Sequence, residues 1–465
     1  MKRRHLLASI LFGALRCVPA TAQSAEQQQL RDIYKQLIEI NTTDSTGSCT
    51  DAVSAMAERL RTAGLPGEDV RVLVPAGAPA KGNLVARLRG TGKDRPILLL
   101  AHVDVVEARL EDWERDPFKL VEENGYFFAR GASDDKAMAA ALVSNLIRYK
   151  REKYRPRRDL VLALTCDEEI IPSRFNGVEF LLREHRGLID AAMAINEGGS
   201  GDLSPDGKRL ALAIQAGEKV FQTYQLEVTG PGGHSSAPVK DSPITHLADG
   251  LSRLGRFDFP FALSETTRAY YEKQAAIETG QRSADMKAIL VVPPDEAAIA
   301  RLSSDRYNNA TFRTTCVATM LQGGHATNAL PQRAQATVNC RVLPGKSVLE
   351  VEQTLIQVVA DPKIKVTPIG KAVESLPPPL TPGLMKAVKK CAADIWPGVP
   401  IVPTMLTGVT DGRFLTPAGI PTYGLDGMFR APGSGIHGLN ERMRVQSLYE
   451  GQEFLYRVVK VLAES

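Results

Sequence analysis

Cysteine is scarce in this chain: six among 465 residues, with no C-x-x-C pair. Cys17 falls in the N-terminal segment discussed below. The odd remainder, Cys49, Cys166, Cys316, Cys340 and Cys391, argues against both a disulfide framework and a cysteine-based zinc site. Each of the five is expected as a small buried apolar residue. Long apolar runs are also missing, since no later stretch approaches the roughly 18 residues a membrane span needs. Nor is there a charge excess to exploit. Lys2, Arg3 and Arg4 precede the apolar run LLASILFGAL (6–15), and the small-x-small stretch ATA (20–22) follows, the pattern of a secretory signal. Cleavage after Ala22 removes Lys2, Arg3, Arg4 and Arg16 and no acid, so the formal charge drops from +4 to zero. That excludes an electrostatic case for nucleic acid or an anionic membrane surface. A secreted or periplasmic protein is expected.

A hydrophobic content of 43% with 24% charged residues describes a folded globular chain, too long for one ordinary core. No short-period repeat is present. From about 23 to 217, short apolar runs (NLVARLRG, PILLLAHVDVV, DLVLALTC, AAMAINEGG) alternate with stretches of helical spacing such as DKAMAAALVSNLIRYK. This predicts an α/β unit, a central sheet with helices on both faces. Around 218 the strands become alternating (VFQTYQLEVTG, ATVNCRVLPG), which predicts an inserted α+β unit over 218–373 with a helical stretch at about 264–310. After the proline-rich connector ESLPPPLTPG, residues 374–465 return to the first style.

The chemistry-bearing residues follow the apolar runs. LLLAHVDVV supplies His102 and Asp104, GASDDK supplies Asp134 and Asp135, TCDEE supplies Asp167, Glu168 and Glu169, INEGG supplies Glu197, and GIHGLNE supplies His437. In an open α/β sheet, ligands gather beyond the carboxyl ends of the strands. Clustered carboxylates without a cation repel one another, and a divalent metal removes that cost. Imidazole and carboxylate without thiolate suit zinc, with manganese or cobalt as alternatives.

Taken in order, HVDVV, WERDPF…NGYFFARGASDDK, TCDEE, NEGG, GPGGHSSAP, HATNALPQRAQATVNCRVLPG, TDGRFL and GIHGLNE resemble the M20 metallopeptidase/aminoacylase family. That family includes glutamate carboxypeptidases, desuccinylases and acetylornithine deacetylases. The resemblance implies two zinc ions bridged by Asp134, with Asp135 following across a cis peptide. His102 and Glu197 complete one site; Glu169 and His437 complete the other. Asp104 is implied to hold the ring of His102, and Glu168 to be the general base. His234 is implied to polarise the scissile carbonyl, often from a partner subunit in a homodimer, with Asn328 assisting. Arg413 is implied as the clamp on a substrate carboxylate, with Arg341 beside it; Asn339 stands where the family more often has Asp. Asp167 and His325 are expected to be structural, His246 structural or on the surface, and Lys136 has no assigned role. The expected activity is hydrolysis of the amide bond in a small peptide or N-acyl amino acid bearing a free carboxylate. The alternatives are a deacylase rather than an exopeptidase, or a metal-dependent binding protein without turnover.

Overall fold

The computed structural model describes residues 24–465. The expected signal segment 1–22, with Cys17, lies outside the described residues. Ten strands form one mixed sheet, and its central strands are parallel: Asp94–His102 lies between Arg158–Thr165 and Met193–Asn196, and Thr422–Gly424 follows Met193–Asn196. These strands are almost continuously apolar because both faces are covered. Leu99 and Ala101 face the layer of Ala25–Ile38, Cys49–Thr62, Lys136–Arg151, Pro382–Ile395 and Val445–Glu464. Leu98 and Leu100 face the opposite layer, which contains Gly177–Glu184. The mixed α/β class read from the sequence is the observed one.

A second, four-stranded sheet is wholly antiparallel, in the order Thr315–Gly323, Arg333–Val342, Val220–Thr229, Lys365–Ile369. Val220–Thr229 alternates buried and half-buried residues, as a sheet with one covered face requires. Helices Pro243–Leu254 and Val348–Val359 bury their apolar stripes on that face, in a core separate from that of the large sheet. Helices Glu265–Ile277, Gly280–Ala288, Glu296–Ser303 and Arg306–Phe312 have a third small core around Tyr271, Met286 and Phe312. They lean on the large sheet, where the Thr266 hydroxyl donates to the carbonyl of Ala216 at 3.0 Å.

The expectation for cysteine is corrected here. Cys49 and Cys166 are joined across 117 residues, and Cys316 and Cys340 across 24. The first pair ties the start of Cys49–Thr62 to the end of Arg158–Thr165. The second pair sits directly opposite on neighbouring antiparallel strands, with Cα atoms 4.1 Å apart. Residue spacing gave no sign of either pairing, because both depend on which strands and helices become neighbours. Cys391 is free and buried, as expected.

Candidate metal centre

Three parallel strands deliver their next residues to one place. His102 ends Asp94–His102, Glu197 directly follows Met193–Asn196, and the TCDEE acids follow Arg158–Thr165. Asp167 has a φ of +62°, which turns the chain sharply just before Glu168 and Glu169. Its buried carboxylate is occupied by Lys81 Nζ at 2.6 Å and the Ser173 hydroxyl at 2.6 Å. The Asp104 carboxylate then accepts the N–H groups of Glu168 at 3.3 Å and Glu169 at 3.0 Å. Below them, buried Asp411 accepts from the Thr165 hydroxyl at 3.0 Å and from Asn176 at 2.7 Å, while Asn176 caps Gly177–Glu184.

Asp134 stands at the centre of the cluster. Its Oδ1 lies 3.1 Å from His102 Nε2 and its Oδ2 lies 3.1 Å from His437 Nε2. His437 Nε2 also meets Glu169 at 2.9 Å, and His102 Nε2 lies 3.7 Å from Glu197. The five residues named as ligands from the sequence are therefore together. The peptide bond between Asp134 and Asp135 is cis. Nδ1 of His102 meets the backbone carbonyl of Asp104 at 3.0 Å, nearer than the carboxylate at 3.5 Å. Asp104 thus holds the ring with its main chain and spends its carboxylate on the acidic turn.

Two sets of donor atoms lie within 4.8 Å of one another: His102, Glu168 and Glu197, and His102, Asp134 and Glu169. Cys49, Cys166 and Asp104 also approach this closely, but the sulfurs are bonded to each other and offer no thiolate. Without a cation the cluster is electrostatically uneasy. Burial pushes Glu197 up to about 7 and Glu168 well above the usual carboxylate range. Burial also pushes Asp134 up, but its contacts with two imidazoles outweigh this and hold it below its ordinary value. The same contacts, with Asp134 first and then Glu169, raise His437 to about 10. Buried acids whose charge burial opposes, gathered around two imidazoles, are a set of groups that a divalent cation would relieve. The donor set fits such an ion.

Of the other named residues, Arg413 lines a neighbouring cleft and Arg341 lies near it. Arg413 Nη1 and Arg341 Nη1 are buried, and neither has a hydrogen-bond partner among the described residues. Burial, then the charge of Arg413, lowers Arg341 below its ordinary value. Arg341 stacks on Phe221 at 4.7 Å, and its Nε donates to Asn339 at 3.2 Å. Arg413 lines a cavity of about 490 Å³ whose apolar walls include Ile171, Phe221, Met320, Val373 and Phe414. Half-buried Glu218 and buried Lys219 line it too, and sequence reasoning missed both; the GEK stretch carries no motif that marks them.

His234 and Asn328 are exposed and belong to a second place. The Ser235 N–H donates to the Asn328 carbonyl at 3.1 Å, and His234 Nδ1 accepts from the Ser236 hydroxyl at 2.7 Å. The structure pairs these two loops with each other. His325 is exposed, Lys136 Nζ is buried against the carbonyl of Ile40 at 2.8 Å, and His246 is held between Asp241 and Asp361.

The profile of the peptidase family M20/M25/M40 matches residues 98–461. Human N-fatty-acyl-amino acid synthase/hydrolase PM20D1 is 32% identical over 79% of this chain and 74% of its own length. A probable carboxypeptidase S-like 2 from Dictyostelium discoideum is 27% identical over 82% of this chain and 74% of its own. The crystal structure of an M20 family metallo-carboxypeptidase, Sso-CP2 from Sulfolobus solfataricus, superposes with a TM-score of 0.67. It covers 94% of this chain and 99% of its own, at 21% identity.

Proposed function

The chain belongs to peptidase family M20/M25/M40, and from that premise we propose that it is a two-metal amidohydrolase of N-acyl amino acids with a free carboxylate and an apolar acyl group. The observation that carries the metal reading is the placement of Asp134, with one carboxylate oxygen against each imidazole. His102, Asp134 and Glu197 would hold one ion; Asp134, Glu169 and His437 would hold the other. Zinc fits these donors best, with manganese or cobalt as alternatives. When bound, such a pair supplies an activated water and a Lewis acid for the carbonyl.

The residues of the chain do the rest. Glu168 takes the water's proton through its carboxylate and returns one to the leaving nitrogen. Arg413, with Arg341 beside it, clamps the carboxylate through an unpaired guanidinium edge. His234 and Asn328 donate toward the carbonyl oxygen as negative charge develops on it. The cavity beside Arg413 receives the apolar body of the substrate, and its volume exceeds what a single small side chain fills. That favours an acyl amino acid over a small polar dipeptide, in keeping with the name of the human relative. Exopeptidase action on an apolar dipeptide is the second reading, and the carboxypeptidase relatives favour it.

We propose further that residues 23–217 and 374–465 form the catalytic unit, and that 218–373 forms a lid that also dimerises. The edge strand Thr315–Gly323 is exposed along most of its length, which suits pairing with a second copy. Export from the cytoplasm is supported by the N-terminal sequence and by two disulfides, which persist in oxidising compartments. Among the described residues, no helix is long and apolar enough to cross a membrane.

The test is a panel of N-acyl amino acids and dipeptides, each also offered with its carboxylate amidated, assayed before and after chelation. The proposal expects turnover of apolar N-acyl amino acids, loss with chelator, recovery with zinc, and poor turnover of every amidated form. Equal turnover of amidated and free forms, or activity indifferent to chelator, contradicts it.

A further inference from the structure

Glu441 is fully buried and is none of the ligands named above. Its carboxylate accepts four hydrogen bonds. Oε1 takes the N–H groups of Ser133 at 2.6 Å and Asp134 at 3.0 Å; Oε2 takes the N–H of Gly131 at 3.0 Å and Arg130 Nη1 at 2.8 Å. Its carbonyl accepts the Ala129 N–H at 3.1 Å. One residue thus fixes the whole turn that ends in Asp134. Arg130 extends the link, since its Nη2 donates to the carbonyl of Gly438 at 2.9 Å, the residue after His437. The pair Arg130–Glu441 is almost fully buried on both sides.

The two halves of the metal centre are not equally secured. His102 ends a strand in the middle of the large sheet. The Asp134 turn has further anchors: Tyr34 donates to the Ala132 carbonyl at 2.6 Å, and Arg430 Nε to the Ser133 hydroxyl at 3.0 Å. His437 is on a surface loop, with its side chain 53% exposed and a φ of +58°. That loop closes on itself, with Gly438 N–H to the Gly435 carbonyl at 2.8 Å and Arg442 N–H to the Ser434 carbonyl at 2.9 Å. Glu441, near the end of that loop, bonds the Asp134 turn directly, and Arg130, which it holds, adds the link nearest His437.

We propose that Glu441, acting through Arg130, is a positioning residue that sets His437 against Asp134 and so governs the affinity of the ion on the Glu169–His437 side. The inference rests on the two-metal reading above. A ligand whose loop is not held in place must be ordered each time an ion binds, and that ordering opposes binding. Partners that orient a metal ligand typically change affinity by about 10–100-fold when lost.

The test uses the metal-free protein titrated with Zn²⁺ against a chromophoric chelator, with the visible absorption of Co²⁺ as a second readout. Wild type should take up two ions. Glu441→Gln replaces one acceptor oxygen with an NH₂ group that faces donors. It should still take up two ions, one of them about 10–100-fold more weakly, with an altered Co²⁺ spectrum for that site alone. Arg130→Lys keeps the charge but cannot reach Glu441 and Gly438 together; it should give the same selective loss, and it serves if Glu441→Gln does not fold. In a His437→Ala background, Glu441→Gln should add no further loss at the remaining ion. Undiminished affinity for both ions in both variants overturns the proposal. So does an equal loss at both ions that persists without His437. A wild type that binds fewer than two ions overturns the two-metal reading itself, and shows this before any variant is made.

Discussion

Glu168 has one buried carboxylate oxygen, Oε1, with no hydrogen-bond partner among the described residues, beside the cluster that receives the reacting carbonyl in this account. A group in that position moves protons and need not hold metal. Glu168→Gln should therefore lower kcat by about 10²–10⁴-fold while metal content and KM stay close to wild type; loss of an ion in that variant would make Glu168 a ligand instead. Glu218 offers a different residue-level test. Burial raises it to about 7, and it accepts from the N–H and hydroxyl of Thr410. Its folded value lies above its unfolded one, so its contribution to stability is complete below pH 4.5 and is lost as pH rises through about 7. Wild type should therefore lose Tm relative to Glu218→Gln across that window, with the difference level above it. A difference independent of pH would refute the burial argument. His102, Asp134, Glu169 and Glu197 were legible in the sequence because they stand at the end of an apolar strand, close after one, or at a helix start; His437, on a loop, was legible only through the GIHGLNE motif and the family resemblance. Glu441, Asp411 and Lys219 were not, because burial and a distant partner give them their weight, and no neighbouring residue announces either.

At the scale of elements, the parallel strands could be read from their unbroken apolar runs and the antiparallel ones from alternation. What could not be read was which element lies beside which. Cys49 reaches Cys166 only because Cys49–Thr62 packs over the end of Arg158–Thr165. That link sits one residue before Asp167 and braces the turn that aims Glu168 and Glu169. Replacing both cysteines with alanine should cost about 2–5 kcal/mol of unfolding free energy, measured by denaturant titration of the oxidised protein. An unchanged midpoint would mean that the pair does not close in solution. The packing of the four helices over 265–312 was equally illegible: their spacing showed helices, but nothing in it showed that they lean on the large sheet through Thr266.

At the scale of the whole molecule, the large sheet carries the candidate metal ligands, the smaller sheet carries Arg341, and His234 and Asn328 sit on and beside the separate two-stranded pairing of Gly233–His234 with Ala329–Leu330. The exposed edge strand presents Val317, Met320 and Leu321, each more than half exposed. Such an edge invites pairing. Val317→Lys with Leu321→Lys should turn a dimer into a monomer by sedimentation and should lower turnover, since His234 acts across the dimer in this reading; a wild type that sediments as a monomer contradicts it.

The central claim is that His102, Asp134, Glu169, Glu197 and His437 converge because two divalent cations hold them. Anomalous diffraction from crystals of the zinc-loaded protein addresses it directly. The account predicts two strong peaks, one on either side of the Asp134 carboxylate, the first facing His102 and Glu197 and the second facing Glu169 and His437. A single peak, or peaks elsewhere with Asp134 free, would contradict it.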